Sequence, residues 1–324
     1  MRILLGFPVQ AEHISRIEKV ALDHEVAVAQ QEDLPHLLNE TDVFCGHVKV
    51  QVDWEKIVAR GRLRWIQSSA AGLDHCLHSA VIGSDILVSS ASGVLADQVA
   101  EHAIALLGSV LRQLPLFYEA QNRRAFTRQP TNDLHGKRVG IIGFGGVGKR
   151  VAELLAPYRV KMIATDYFPQ ICPPHVDAVW AADEYPELLR QSDVVILCVP
   201  LTPTTQGMIG KEQLASMPAG SVLVNVCRGD VVVESALVNA LSDGHLSGAA
   251  IDVVCDEPPD ADRLIWQAPN LVITPHVAGQ SSTRIDRMTD LFCANLHRFQ
   301  QRLPLINLVD KKIGFPPPNV PKSA

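Results

Sequence analysis

The segment "RVGIIGFGGVGKRVAELLAPY" constrains this chain more than any other. Val139, Ile141 and Ile142 read as a buried strand and "VGKRVAELLAPY" as a helix. Between them lies Gly143-Phe144-Gly145-Gly146-Val147-Gly148, a G-x-G-x-x-G. The first glycine permits a tight turn, the second lets a pyrophosphate approach the backbone, and the third lets helix and strand pack closely. The helix N-terminus then offers unpaired N–H groups and a partial positive charge to the phosphates. A second strand ends in Asp166, 18 residues beyond Gly148. An aspartate there accepts hydrogen bonds from the adenosine ribose hydroxyls and repels the additional phosphate of NADP. Tyr167 and Phe168 beside it supply no cation, so NAD is the expected cofactor. Gly143 to Lys149 also spells G-x-x-x-x-G-K, but a triphosphate-binding loop needs Ser or Thr next, and Arg150 stands there.

Around this segment, short apolar runs alternate with helical patterns. Strand candidates in the first part are "RILLGF", "EVAVA", "DVFCG", "LRWIQ" and "DILVS". From Ala96, "ADQVAEHAIALLGSVLRQL" reads as one helix of several turns with a broad buried face. The alternation then resumes with "RVGIIG", "KMIATD", "AVWA", "DVVILCV", "SVLVNV", "GAAID" and "LVITP". Such alternation predicts an α/β fold of two doubly wound, Rossmann-like parallel-sheet domains. The expected division is residues 1–96 with about 284–324 as a discontinuous substrate domain, and 97–283 as the NAD-binding domain. A last long helix, "SSTRIDRMTDLFCANLHRFQQ", makes the return to the first domain. The tail "GFPPPNVPKSA" is too rich in proline to belong to a packed element.

Composition narrows the function. A formal net charge of −6 without a Lys/Arg block gives no footprint for nucleic acid. No run of about 18 apolar residues suggests a membrane span, and "MRILLGFPVQ" reads as a first strand rather than a signal peptide. The seven cysteines are scattered without C-x-x-C spacing, which fits free thiols in a reducing, cytoplasmic compartment. His75 and His78 flank Cys76, but no third ligand is evident, so two solvated loop histidines and no metal are expected. Trp65 and Trp266 read as packing residues.

Ligands of a doubly wound sheet bind at the carboxyl ends of its strands. Three ionisable residues fall at or just past such ends: Arg228 after "SVLVNVC", Glu257 after "GAAIDVVCD" and His276 after "LVITP". Each alone is compatible with a solvated loop charge or a half-buried histidine. Together they form a chemical set. Arg228 can grip a carboxylate bidentately and polarise the adjacent carbonyl. His276 can give or take a hydroxyl proton. Glu257 can orient the imidazole and favour its protonated form. Beside a nicotinamide, the set suits hydride transfer at C2 of a 2-oxo or 2-hydroxy acid.

With these segments in order, together with "CVPLTPTTQGMI", "NVCRGDVVVE", "AIDVVCDEPP", "ITPHVAG", "SSAAGLDH" and "VAEHAIALL", the chain resembles the D-isomer-specific 2-hydroxyacid dehydrogenase family. The clear similarity runs over roughly residues 63–279. The resemblance implies Arg228, Glu257 and His276 as the catalytic set. It implies cofactor contacts at Gly143, Gly145, Val147 and Gly148, with Asp166 on the ribose and Val199, Cys227 and Asp252 along the rest of the dinucleotide. Backbone amides around Ala71, Gly72 and Leu73 would receive the substrate carboxylate. It further implies two domains around a cleft, and homodimers joined largely through the cofactor domains.

The chain departs from the family in places. Gly146 replaces a frequent arginine of the glycine loop, and "VAGQSSTR" varies from the commoner small-residue pattern. Phosphoglycerate dehydrogenases of this family carry an arginine after the third strand. "CGHVKVQ" offers His47 and Lys49 instead, which leaves a phosphorylated substrate open. The leading expectation is an NAD-dependent oxidoreductase of a small D-2-hydroxy acid. The alternatives are a non-enzymatic NAD(H)-sensing scaffold of the same fold and a formate dehydrogenase, although formate dehydrogenases pair the histidine with glutamine where this chain has Glu257.

Overall fold

Near-continuous apolar runs such as Val194–Leu197 suit strands covered on both faces, and the chain builds two all-parallel sheets from them. The structure, a computed structural model, describes residues 1–168 and 171–322. The last two residues of the proline-rich tail lie outside the described residues. Two compact units result: Met1–Leu95 with Ser281–Ala324, and Ala96–Gln280. No helix among the described residues is long and apolar enough to cross a membrane.

The first unit holds strands β1 (Arg2–Gly6), β2 (Glu25–Val28), β3 (Val43–Gly46), β4 (Trp65–Ser68) and β5 (Leu87–Ser89), in the order β2-β1-β3-β4-β5. The order reverses between β1 and β3, where Gly6 pairs with Gly46. A Cβ on Gly46 would stand 2.6 Å from the Gly6 carbonyl oxygen, so only glycine lets these strand ends meet. The helix Arg284–Gln300 belongs to this unit. It stacks Phe292 and Phe299 on the fully buried Trp65 ring, at 5.5 and 5.2 Å, and Asn295 donates to Gln67 Oε1 at 2.8 Å. The tail is irregular yet attached, because Asn307 N–H donates to the Pro321 carbonyl and Lys311 Nζ to the carbonyls of Val81, Ser84 and Ile86.

The second unit holds β6 (Arg138–Ile142), β7 (Lys161–Asp166), β8 (Ala178–Ala181), β9 (Val194–Leu197), β10 (Ser221–Asn225), β11 (Leu246–Ile251) and β12 (Leu271–Ile273), in the order β12-β11-β10-β9-β6-β7-β8. The switch point lies between β6 and β9. The helix expected over residues 96–114 ends at Leu111 and restarts as Leu114–Asn122. Gln113 adopts left-handed dihedrals and Pro115 opens the new helix, where its missing N–H costs nothing. The first of the two helices buries Ala100, Ala103, Leu106, Leu107 and Leu111, which join Val151, Leu155 and Ala250 in one core.

Candidate active site

The switch point of the second sheet is built on glycine. Gly143 leaves β6 at φ 96°, and a Cβ there would sit 2.7 Å from the Cys198 carbonyl at the exit of β9. A Cβ on Gly148 would collide with the Gly143 carbonyl oxygen, so the helix Gly146–Leu155 can start this close only with glycine at that turn. Gly145 has open space where a side chain would stand. The N–H groups of Gly146, Val147 and Gly148 precede the helix's first backbone bond, from Lys149 N–H to the Gly145 carbonyl. An open backbone and leading N–H groups fit the diphosphate of a dinucleotide. Asp166 ends β7 and accepts from Phe144 N–H at 2.8 Å and Phe168 N–H at 3.0 Å, which brings its carboxylate to the rim of the same loop.

At the neighbouring exits, Val199 follows β9 and Cys227 follows β10, two strands that pair in the sheet. Burial pushes the Cys227 thiol up to about 11, and it is neutral near pH 7. Arg228 follows, half-buried, with Nη1 2.8 Å from the Cys227 carbonyl. A side chain on Gly229 would collide with the backbone of Val254 and Cys255, which is the local reason for glycine after the arginine. Asn225 fixes the bend between strand and arginine. Its Nδ2 donates to the Arg228 carbonyl at 2.9 Å and its Oδ1 accepts from Cys227 N–H at 3.0 Å. Sequence reasoning passed over Asn225. A fully buried amide closing an apolar strand was the available signal.

Glu257 and His276 leave β11 and β12 and meet: His276 Nδ1 lies 2.6 Å from Glu257 Oε2. Glu257 Oε1 accepts from Val254 N–H at 3.2 Å, and Arg263 braces the loop by donating to Glu234 Oε2 (2.7 Å) and to the Cys255 carbonyl. His276 itself has φ 52°, a left-handed conformation that costs about 1–3 kcal/mol in a residue with a side chain. The surroundings hold it there. Its N–H donates to the Asp252 carbonyl at 2.8 Å, and the next two N–H groups, of Val277 and Ala278, donate to the Asp252 carboxylate at 2.9 Å each. Thr274 Oγ1 donates to the same carboxylate at 2.6 Å. Asp252, expected along the dinucleotide, thus directs its side chain into the turn that carries His276.

In the first unit, Ala71, Gly72 and Leu73 occupy the loop after β4. Ser69 N–H donates to the Gly46 carbonyl and Ala70 N–H to Ser68 Oγ, whereas among the described residues the N–H groups of Ala71, Gly72 and Leu73 meet no acceptor. Three successive open N–H groups can receive an anion. His75 is not the solvated histidine expected from sequence. It is buried, accepts from Val48 N–H at 3.2 Å and bonds Ser68 Oγ at 2.9 Å, so it joins the loops after β3 and β4. His47 lies against it, ring centroids 4.0 Å apart, and Lys49 is exposed. Trp266 is half-exposed, and its indole N–H donates to the Asp260 carbonyl.

Comparison with known proteins places the chain in a family. The family model described as "D-isomer specific 2-hydroxyacid dehydrogenase, NAD binding domain" matches residues 104–278. A glycerate dehydrogenase of Methylorubrum extorquens is 34% identical over 247 residues, 73% of this chain and 76% of the relative. A glyoxylate reductase of Pyrococcus furiosus is 30% identical over 294 residues, 87% of this chain and 86% of the relative. Among solved structures, an NAD-dependent formate dehydrogenase of Staphylococcus aureus in complex with NAD superposes with a TM-score of 0.78 at 29% identity, over 96% of this chain and 98% of that one.

Proposed function

The chain belongs to the D-isomer-specific 2-hydroxyacid dehydrogenase family and is a nicotinamide-dependent oxidoreductase; within that family, we propose that it reduces a small 2-oxo acid to the D-2-hydroxy acid, reversibly, with NAD(H). The observation that carries this reading is the 2.6 Å contact between His276 and Glu257 at the exits of the sheet that bears the glycine loop. In the reading, the nicotinamide supplies or accepts the hydride. Arg228 holds the substrate carboxylate and polarises the carbonyl beside it. His276 gives the proton to the new hydroxyl, and Glu257 holds the imidazole by Nδ1. In the first unit, the open amides at Ala71, Gly72 and Leu73 form a loop that suits a carboxylate. Val147 and Gly148 at the helix start, with Val199 and Cys227, line the dinucleotide.

Glu257 also separates this reading from formate oxidation. Formate gives up a hydride to leave carbon dioxide and has no hydroxyl proton to exchange, so a histidine–carboxylate pair has no proton to move there. Asp166 at the rim of the glycine loop favours NAD, because a 2′-phosphate would meet its carboxylate. Both points are tested by one assay of NADH and NADPH oxidation with glyoxylate, hydroxypyruvate, pyruvate, phenylpyruvate, 2-oxoisocaproate and 3-phosphohydroxypyruvate. At least one oxo acid is expected to turn over, with kcat/KM for NADH about tenfold or more above that for NADPH. Turnover of none defeats the oxo-acid reading, and equal or reversed cofactor preference defeats the role of Asp166.

We further infer a homodimer through the second unit. The helix Leu114–Asn122 buries none of its residues, Leu114, Leu116 and Tyr118 on it are exposed, and Phe126 just beyond is wholly so. Sedimentation should give twice the 35.3 kDa chain mass, and a single-chain mass at micromolar concentration would remove the inference. The seven free thiols fit a cytoplasmic location.

A further inference from the structure

Beneath the turn that carries His276 runs a polar chain that the proton-transfer reading leaves unused. His102 lies within the helix Ala96–Leu111, and its Nε2 stands 2.9 Å from Thr274 Oγ1 and 3.4 Å from Asp252 Oδ1. Counting hydrogens gives every direction in the chain. A carboxylate only accepts, so the Thr274 hydroxyl hydrogen points at Asp252 Oδ1. A hydroxyl has one hydrogen, so toward His102 it can only accept. His102 Nε2 therefore carries a hydrogen and donates it to Thr274 Oγ1. The same N–H lies beside a carboxylate that is 1% exposed and is otherwise held by the hydroxyl and two backbone amides.

This chain bears on a backbone conformation that the site must hold against its own preference. His276 is left-handed, and its turn stays so because three successive N–H groups, of His276, Val277 and Ala278, land on the carbonyl and carboxylate of Asp252. A rotation of the Asp252 side chain would release two of the three. Thr274 restrains that rotation, and His102 in turn restrains Thr274 from a separate element of the unit. We propose that His102 is a positioning residue for His276, acting through Thr274 and Asp252; this rests on the reading of His276 as the proton donor.

The test compares His102→Phe, which keeps a ring and removes the donor, with His102→Gln, whose side-chain amide can place an N–H near the lost Nε2. Steady-state kinetics with the best oxo acid, and NADH affinity by fluorescence, are measured for each. His102→Phe should lower kcat about tenfold with NADH affinity within about twofold, and His102→Gln should return kcat to within about threefold of the native chain. Thr274→Val should lower kcat by a similar factor, and adding His102→Phe to it should cost less than about twofold more, because the two act through one chain of bonds. Native kcat in His102→Phe, equal defects in the Phe and Gln variants, or additive defects in the double variant would each overturn the proposal. If no His102 variant folds, native kcat in Thr274→Val overturns it alone. His276→Gln tests the underlying reading separately: native turnover there removes the proton donor itself, whatever the His102 variants do.

Discussion

Arg228→Lys is expected to lower kcat/KM for the 2-oxo acid by about a hundredfold or more, on the order of 3 kcal/mol, while NADH affinity changes less than about twofold. The positive charge survives this substitution, so the loss isolates geometry. A guanidinium offers two parallel N–H donors to a carboxylate and a further one toward the carbonyl beside it, whereas an ammonium on a flexible stem is a point charge. The backbone around Arg228 is arranged for a fixed side chain. Asn225 ties the Arg228 carbonyl, and Gly229 lies flush against Val254 and Cys255. The Nη1 bond to the Cys227 carbonyl holds the guanidinium near the strand exit. A lysine ammonium has three donors but no planar fork, so in that setting it cannot pair a carboxylate through two parallel N–H groups. Turnover near the native level in Arg228→Lys would show that the arginine is a surface charge after all.

The parts of this site that sequence reveals are those made of local pattern. Strand β9 is an uninterrupted apolar run, β10 has Val222, Leu223 and Val224 at its centre, and Gly143, Gly145 and Gly148 sit at fixed offsets between a strand and a helix. Arg228, Glu257 and His276 stand out because ionisable residues directly follow apolar strands. What escapes is whatever depends on partners distant in the chain. His102 and Thr274 are 172 positions apart, and nothing in "VAEHAIALL" marks its histidine as different from a helix-surface residue. His75 likewise looks like a loop histidine until the folded β3 and β4 exits close around it, 27 residues from Val48 in sequence. The break after Leu111 escapes for the opposite reason. The helical pattern continues through Gln113, but Pro115 can begin a helix and cannot sit inside one, and the left-handed Gln113 turns the chain at that point.

Glu257→Gln should lower kcat in both directions of the reaction. The carboxylate accepts only, so the 2.6 Å contact places a hydrogen on His276 Nδ1 and, in the proposed mechanism, leaves Nε2 as the nitrogen that exchanges the substrate proton. Oxo-acid reduction needs Nε2 protonated at the start, making the ring an imidazolium beside the anionic Glu257. Hydroxy-acid oxidation needs Nε2 bare, making the ring neutral. Glutamine keeps the shape and an acceptor for Nδ1–H but removes the charge that favours the imidazolium. Every turnover passes through the imidazolium, as the reactant of reduction or the product of oxidation, so the loss of its partner charge is felt in both directions. Reductive and oxidative kcat should each fall about tenfold or more. The pair is partly open to solvent, with side chains 45% and 35% exposed, so added salt should narrow the gap between native and variant reduction rates without closing it. If kcat in both directions stays at the native level in Glu257→Gln, the carboxylate serves only to aim the ring, and the charge has no part in the proton transfer.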